Sequence, residues 1–234
     1  MYTQLELSHV QKTLRRLQRR IEERFPRSSL SRVAAELCVI ADETGPVLDR
    51  LRKPIWVVRI LVVAAVVLLL ALAGGLLILL GSMSLDVDGL GSMLQVVESA
   101  LQDLIFLGIA LFFLVTIEGR LKRRVAIRDL RQLRAVVHIV DMHQLTKDPE
   151  HLLAPKMRTA SSPVREFTRF ELSRYLDYCT ELLSLSSKLA ALHAQCVNDP
   201  VVLDAVNDIE VLASNLSNKI WQKMVFLDSM PGLE

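Results

Sequence analysis

Three of the five histidines lie in one short segment. Of all the residue clusters in the sequence, this one most resembles a metal site. The histidines are His138 and His143, with Asp141 between them, and His151. Imidazole and carboxylate groups are common zinc ligands. On a helix, His138 and Asp141 share a face, whereas His143 lies about 140° around from His138. We therefore expect no metal and no cofactor, but polar contacts near a helix end, where the helix dipole favours a positive charge on His143.

Other residues that could do chemistry are scattered rather than grouped. The sequence has no glycine-rich phosphate loop, no HExxH or GxSxG motif and no paired CxxC. Cys38, Cys179 and Cys196 lie within apolar helical patterns, which are typical of buried free thiols. Asp177 and Glu181 form an i, i+4 carboxylate pair without an acid-base partner, so we expect a solvated helix face. These observations predict a protein that is not an enzyme.

Charge and aromatic content argue against a nucleic-acid partner. The net charge is +2 and aromatic residues make up 5% of the chain. Nucleic-acid binding needs a strongly basic surface, and base stacking needs aromatic side chains. We therefore expect that the chain binds no nucleic acid.

Hydrophobic residues make up 51% of the 234-residue chain, and two segments hold most of the excess. Segment 60–85 has 26 residues without a charge, which at about 1.5 Å per residue spans the roughly 30 Å of bilayer hydrocarbon as a helix. Segment 104–117 has only 14, so this helix crosses only if its outer turns, with Gln102 and Asp103, enter the interface. The sequence therefore predicts an all-α fold with a two-span transmembrane helical hairpin. Its parts are a first transmembrane helix at 54–82, a short extracytoplasmic loop at 83–91 and a second transmembrane helix with an amphipathic outer end at 92–119.

Lysine and arginine flank the two predicted spans on one side only. The connection 82–103 contains none of them, whereas ten lie just before the first span or after the second. The positive-inside rule therefore places both termini in the cytoplasm, most simply at a bacterial inner membrane. Anionic lipid headgroups would attract the basic residues nearest to the second span, although such flanks are ordinary for inner-membrane proteins. These candidate headgroup contacts are Arg120, Lys122, Arg123, Arg124 and Arg128.

Two charged residues lie at similar depth near the cytoplasmic ends of the two spans. Arg59 lies one turn inside the first span, and Glu118 follows the second. Charges at this depth need partners, so we expect the two to pair or to share a hydrated vestibule. The alternative is that Arg59 extends to the lipid phosphates.

Small residues form a narrow stripe along the first span and would allow another helix to approach closely. The partner helix is the second span of the same hairpin or a copy from another subunit, and the hairpin is the simpler choice. The stripe consists of Ala64, Ala71 and Gly75, with Gly108 as its expected counterpart on the second span.

Outside the spans, helical periodicity predicts cytoplasmic bundle or coiled-coil extensions at both ends. A 3/4-spaced seam begins at Leu7 and ends before Phe25-Pro26, and a second helix at 29–43 is stopped by Gly45-Pro46. Ser-Pro and Asp-Pro signals open an antiparallel acidic pair at 163–197 and 200–228, which we expect to dock on the basic helix of the same or a neighbouring chain. The segments are N-terminal cytoplasmic helices at 1–53, a basic juxtamembrane helix at 120–145, a linker at 146–162 and the C-terminal helical pair at 163–234.

Two functions are compatible with this organisation. The first is a self-associating scaffold or interaction module, anchored by the hairpin and able to bind a protein partner through its cytoplasmic helices. The alternative is a homo-oligomeric two-span ion channel or pore, in which Gln102 and Asp103 form an acidic mouth and Arg59 and Glu118 are the other polar membrane positions. Because the spans lack the hydroxyl and amide lining of a hydrated pore, the sequence favours the scaffold.

Overall fold

Regular secondary structure is α-helical in the computed structural model, which describes residues 5–82, 90–145, 147 and 167–229. The all-α prediction is confirmed for this part of the chain. The predicted loop at 83–91 and the predicted linker at 146–162 lie mostly outside the described residues. The helices are α1 (Leu7–Arg24), α2 (Ser29–Arg52), α3 (Trp56–Ser82), α4 (Leu90–Leu145), α5 (Arg169–Ala194) and α6 (Pro200–Ser229).

The helices belong to two compact units. The first unit combines Met1–Arg52 with Arg123–Glu234, and the second is Lys53–Lys122. The segments before and after the apolar helices, which the sequence presents as separate extensions, thus belong to one unit. The apolar helices form an insertion between its two parts.

Helix α1 uses its predicted seam inside the first unit. Residues at steps of three and four share one helix face, and in α1 this face packs against α2 and α5. The seam is therefore not free for a coiled coil with another chain. Its buried residues are Val10, Leu14, Leu17 and Ile21.

Helix α2 continues through the Gly-Pro pair at 45–46, so the prediction that it stops there is wrong. Proline inside a helix removes a backbone hydrogen bond and costs about 3 kcal/mol. The Gln11 side chain of α1 donates to the Ala41 carbonyl at 2.9 Å and so links the two helices ahead of the proline. Burial of three aliphatic side chains beyond the proline, each contributing about 1.5–3 kcal/mol, outweighs the cost. They are Val47, Leu48 and Leu51.

The C-terminal helical pair is present, with one boundary changed. Helix α6 begins at Pro200 as predicted. Helix α5 begins at Arg169, so the predicted start at Pro163 is wrong. The reason is a capping box, in which the Thr168 side chain accepts from the Glu171 N–H and the Glu171 side chain accepts from the Thr168 N–H.

Helix α4 is partly buried along its later part and exposed along its earlier part. Its later part contributes the predicted apolar stripe to the core of the first unit. Its earlier part belongs to the second unit and remains exposed, with Phe106 and Phe112 each more than 60% accessible. The stripe consists of Ala126, Leu130, Leu133, Val137 and Val140, all buried.

Helix α3 leaves its apolar side chains uncovered. Val57 is 68% exposed and Leu70 is 64% exposed, and the most apolar 18-residue windows of α3 and α4 have no share buried inside the protein. Two helices of this chain are therefore long and apolar enough to cross a membrane.

Candidate functional site

A polar cluster centred on Glu118 lies at the end of the apolar unit where α3 begins. The Glu118 carboxylate lies 3.6 Å from Arg59 Nε and accepts from the Ile55 backbone N–H at 3.4 Å. The predicted pairing of Arg59 and Glu118 is therefore confirmed. Lys122 is a closer partner, with Nζ 3.0 Å from the carboxylate. The sequence contains the signal for this contact, since Glu118 and Lys122 are at i, i+4 on one helix.

Burial is unequal within this cluster. The Glu118 side chain is 18% exposed, whereas that of Arg59 is 57% exposed. The carboxylate is therefore the group whose loss would leave several donors without a partner, while Arg59 contributes one long ion pair. Glu118 is the residue that the other members of the cluster contact.

The other polar and small residues predicted to matter on α3 and α4 are exposed in the part of the chain that the structure describes. Gln102 lines a shallow groove with Glu98, and Asp103 is exposed. A Cβ built on Gly75 or Gly108 would meet no atom within 4 Å in the described chain. The described chain therefore supplies no neighbour at these two glycines, and their packing against another helix stays a prediction. Ala64 and Ala71 are also exposed.

The five basic residues expected at lipid headgroups divide into exposed and paired groups. Arg124 and Arg128 are exposed, and exposed Arg120 lies 5.8 Å from the Phe113 ring. Lys122 is held by Glu118. Arg123 belongs to the first unit and is bound to a protein carboxylate. Its partner was not anticipated from the sequence.

Asp199 is that partner, and it performs two tasks. One oxygen accepts from Arg123 Nε and Nη2 at 2.8 and 2.6 Å. The other accepts from the N–H groups of Val201 and Val202 and so caps α6. Burial alone would raise the pKa of Asp199, but the hydrogen bonds from Arg123 and the Val202 N–H outweigh it and hold the pKa below its ordinary value of 3.8. The cap could be read from Asp-Pro in the sequence, but the arginine could not.

Two further contacts attach α4 to the C-terminal pair. His193 is fully buried, with Nε2 3.4 Å from Asp129 Oδ2 and Nδ1 3.1 Å from the Leu189 carbonyl. Arg134 lies 3.8 Å from Asp208. The expected docking of the acidic pair on the basic helix thus occurs within one chain. Sequence reasoning missed the histidine because a lone His within an apolar helical pattern carries no signal of its partner.

The histidine segment does not assemble a metal site in the part of the chain that the structure describes. No group of three or more His, Cys, Asp or Glu side chains there could hold a metal ion. Asp141 instead accepts from Gln144, while His138 is exposed. Burial, with Arg32 and Lys147 nearby, lowers the pKa of His143. The expectation that its position favours a positive charge is therefore wrong, because burial and the two nearby cations disfavour the charged form.

Comparisons with protein-family models, with curated proteins and with solved structures found no match to this chain. Function must therefore be inferred from the residues themselves. The arrangement offers membrane-compatible helices, a polar cluster at one end of them and a helical unit held together by ion pairs.

The Asp199 contacts predict a specific pattern of destabilisation. Asp199→Asn keeps a good capping residue but loses the ion pair, so we expect the free energy of unfolding to fall by about 1 kcal/mol. Asp199→Ala also loses the cap and should cost about 1 kcal/mol more. Because folding lowers this pKa, the wild-type advantage over Asp199→Asn is complete above pH 3.8 and is lost as the pH falls through the folded value. Thermal unfolding of the full chain in maltoside micelles at pH 3 to 7 measures each effect.

Arg123→Gln is the matched control for Asp199→Asn. If the two residues act as a pair, the double variant should be no less stable than either single variant. Fully additive losses would contradict the pairing.

The Glu118 cluster predicts unequal effects of two substitutions. Glu118→Gln should lower the free energy of unfolding by about 1 kcal/mol, because a partly buried carboxylate loses its charge and its ion pairs with Lys122 and Arg59. Arg59→Leu should cost only a few tenths of a kcal/mol, because it removes one long, exposed ion pair. Thermal unfolding in the same micelles compares them, with Glu98→Gln as an exposed control on the same helix. An equal or larger loss for Arg59→Leu would show that the cluster is not centred on Glu118.

Proposed function

We propose that the chain is a non-enzymatic integral membrane protein whose two-span hairpin anchors a self-associating helical scaffold module at the inner face of a bacterial cytoplasmic membrane. The observation that carries the proposal is the exposure of the apolar side chains along α3 and the first part of α4. A soluble protein would cover such helices with its own core. Here the core of the first unit is already complete without them.

The energy involved favours lipid as the surrounding solvent. Each fully exposed Val, Leu, Ile or Phe forgoes about 1.5–3 kcal/mol of hydrophobic stabilisation. More than ten such side chains are exposed on α3 alone, whereas a whole domain is stable by only about 5–15 kcal/mol. Bilayer hydrocarbon removes this penalty, and helices satisfy their backbone hydrogen bonds internally as a membrane requires.

The first unit is formed by segments from both sides of the apolar helices, and this supports the proposed topology independently of charge. Segments from both sides of the insertion share one core, so they must lie on the same side of the membrane. Two crossings meet this requirement, and one crossing does not. The positive-inside rule then assigns that side to the cytoplasm. The exposed Arg120, Arg124 and Arg128 contact anionic headgroups in this arrangement.

A scaffold role is favoured over a channel by where the polar groups lie. Glu118, which is only 18% exposed, is already satisfied by Lys122 and the Ile55 N–H. Self-association has an available surface on α6, on the side away from its buried residues. Val211, Trp221 and Val225 are each at least 44% exposed there, and tryptophan is a common anchor of protein interfaces.

Cysteine labelling tests the anchor. In a Cys38→Ser, Cys196→Ser background, Ser84→Cys should react with a membrane-impermeant maleimide in intact cells, since the connection faces outward. The buried Cys179 can be retained because it is shielded. Ser214→Cys on α6 should react only after the membrane is permeabilised. Labelling of both or neither in intact cells would refute the proposed topology.

Reconstitution separates the scaffold from the channel. We expect the purified chain to have a mass above that of a monomer in micelles and to conduct no ions across liposomes. Trp221→Ala, Val225→Ala should reduce the mass, whereas Val201→Ala, an exposed residue at the other end of α6, should not. Ion flux that disappears in Asp103→Ala would overturn the scaffold proposal in favour of the channel.

A further inference from the structure

Three arginines meet at a groove between α1 and α5 in the first unit. The groove has a volume of about 380 Å³, within the size range of small-molecule sites. Its lining residues are Arg20, Glu23, Arg24, Arg174 and Tyr178.

Two of the guanidinium groups are held in place by one aromatic ring and by carboxylates. Arg20 Cζ lies 5.2 Å from the Tyr178 ring centre, and Arg174 Cζ lies 5.1 Å from it. Arg20 Nη1 donates to Glu181 at 3.1 Å, and Arg174 Nη1 donates to Asp177 at 2.6 Å. The expectation that Asp177 and Glu181 form only a solvated face is therefore wrong. The tyrosine itself is almost completely buried, so it provides a fixed support.

The same contacts leave donors for a ligand. A guanidinium carries five N–H groups. The ion pairs with Glu181 and Asp177 use Nη1 of Arg20 and Nη1 of Arg174, and Arg174 also hydrogen-bonds to the Tyr178 side chain. The third arginine, Arg24, lies over the Phe170 ring at 5.4 Å. Groups that are already positioned lose little conformational entropy when they bind, which favours affinity.

The N–H groups left at the groove favour an anion. Three guanidinium groups line it together with the carboxylate of Glu23. Because Glu181 and Asp177 already pair with Arg20 and Arg174, directed hydrogen bonds rather than net charge would hold the ligand. Planar guanidinium forks match the oxygen geometry of phosphate, and such charge-assisted hydrogen bonds are about twice as strong as neutral ones. A monocarboxylate presents fewer acceptor oxygens to the three guanidinium groups than a phosphoryl group does.

We propose that this groove is a binding site for a phosphoryl group carried by a small ligand. The phosphoryl oxygens contact Arg20, Arg24 and Arg174, and Glu23 weakens binding by repulsion. A soluble phosphate ester and a lipid headgroup share this chemistry. The proposal does not depend on the membrane anchor, because the groove lies wholly within the first unit.

Calorimetric titration of the full chain in maltoside micelles tests the site. The probes are inorganic phosphate, pyrophosphate and short-chain phosphatidate, each at constant ionic strength set with chloride. Arg24→Gln should weaken binding of the recognised probe roughly tenfold or more, because it removes a charged donor. Glu23→Gln should tighten it several-fold, a gain that a folding defect cannot mimic. Binding of the soluble anions assigns a soluble ligand, and binding of phosphatidate alone assigns a headgroup.

Arg15→Gln is the matched control, since it makes the same charge change on the same helix. Arg15 pairs with Asp42 of α2 and does not line the groove. Its binding should equal that of the wild type. Absence of binding to all three probes would overturn the proposal, as would equal effects of Arg24→Gln and Arg15→Gln or no gain with Glu23→Gln.

Discussion

The apolar core shared by the two flanks of the insertion is the constraint on which the rest of the structure depends. Leu14 and Leu37 come before the apolar helices, Leu130 and Leu176 come after them, and all four are buried in one cluster. Loss of one buried leucine costs about 2–5 kcal/mol, a large part of the stability of a domain. A chain that must close this core brings its two flanks to the same place. The residues immediately before and after the apolar helices therefore belong to the two parts of one packed unit.

Polar contacts also hold the first unit together. The later part of α4 is joined to the C-terminal helices by Arg123 with Asp199 and by Asp129 with the buried His193. Each joins residues more than 60 positions apart in the chain. Desolvation makes an unpaired charge expensive at such sites, so each partner is needed for the other. Arg123 was expected to contact a lipid headgroup, but its guanidinium group binds the Asp199 carboxylate instead.

The groove on the first unit shows how ordinary surface charges become organised. On a helical wheel, Asp177 and Glu181 are merely carboxylates on a polar face. Folding brings Arg20 from α1 beside them and places the Tyr178 ring beneath two guanidinium groups. The long side chains are thereby held in one geometry, which isolated surface ion pairs seldom achieve.

Periodicity in the sequence predicted the amphipathic helices and most core faces, and two uncharged runs predicted the apolar helices, because both patterns are local properties. The pairing of Arg59 with Glu118 could also be predicted, since the expected hairpin places the ends of two adjacent helices together. Local signals failed where packing competed with them. The proline at 46 did not stop α2, because burial beyond it outweighs the cost. Only the tertiary structure decided that both flanks form one unit, that His193 meets Asp129 and that three arginines share a groove, because each joins side chains whose proximity no local pattern encodes.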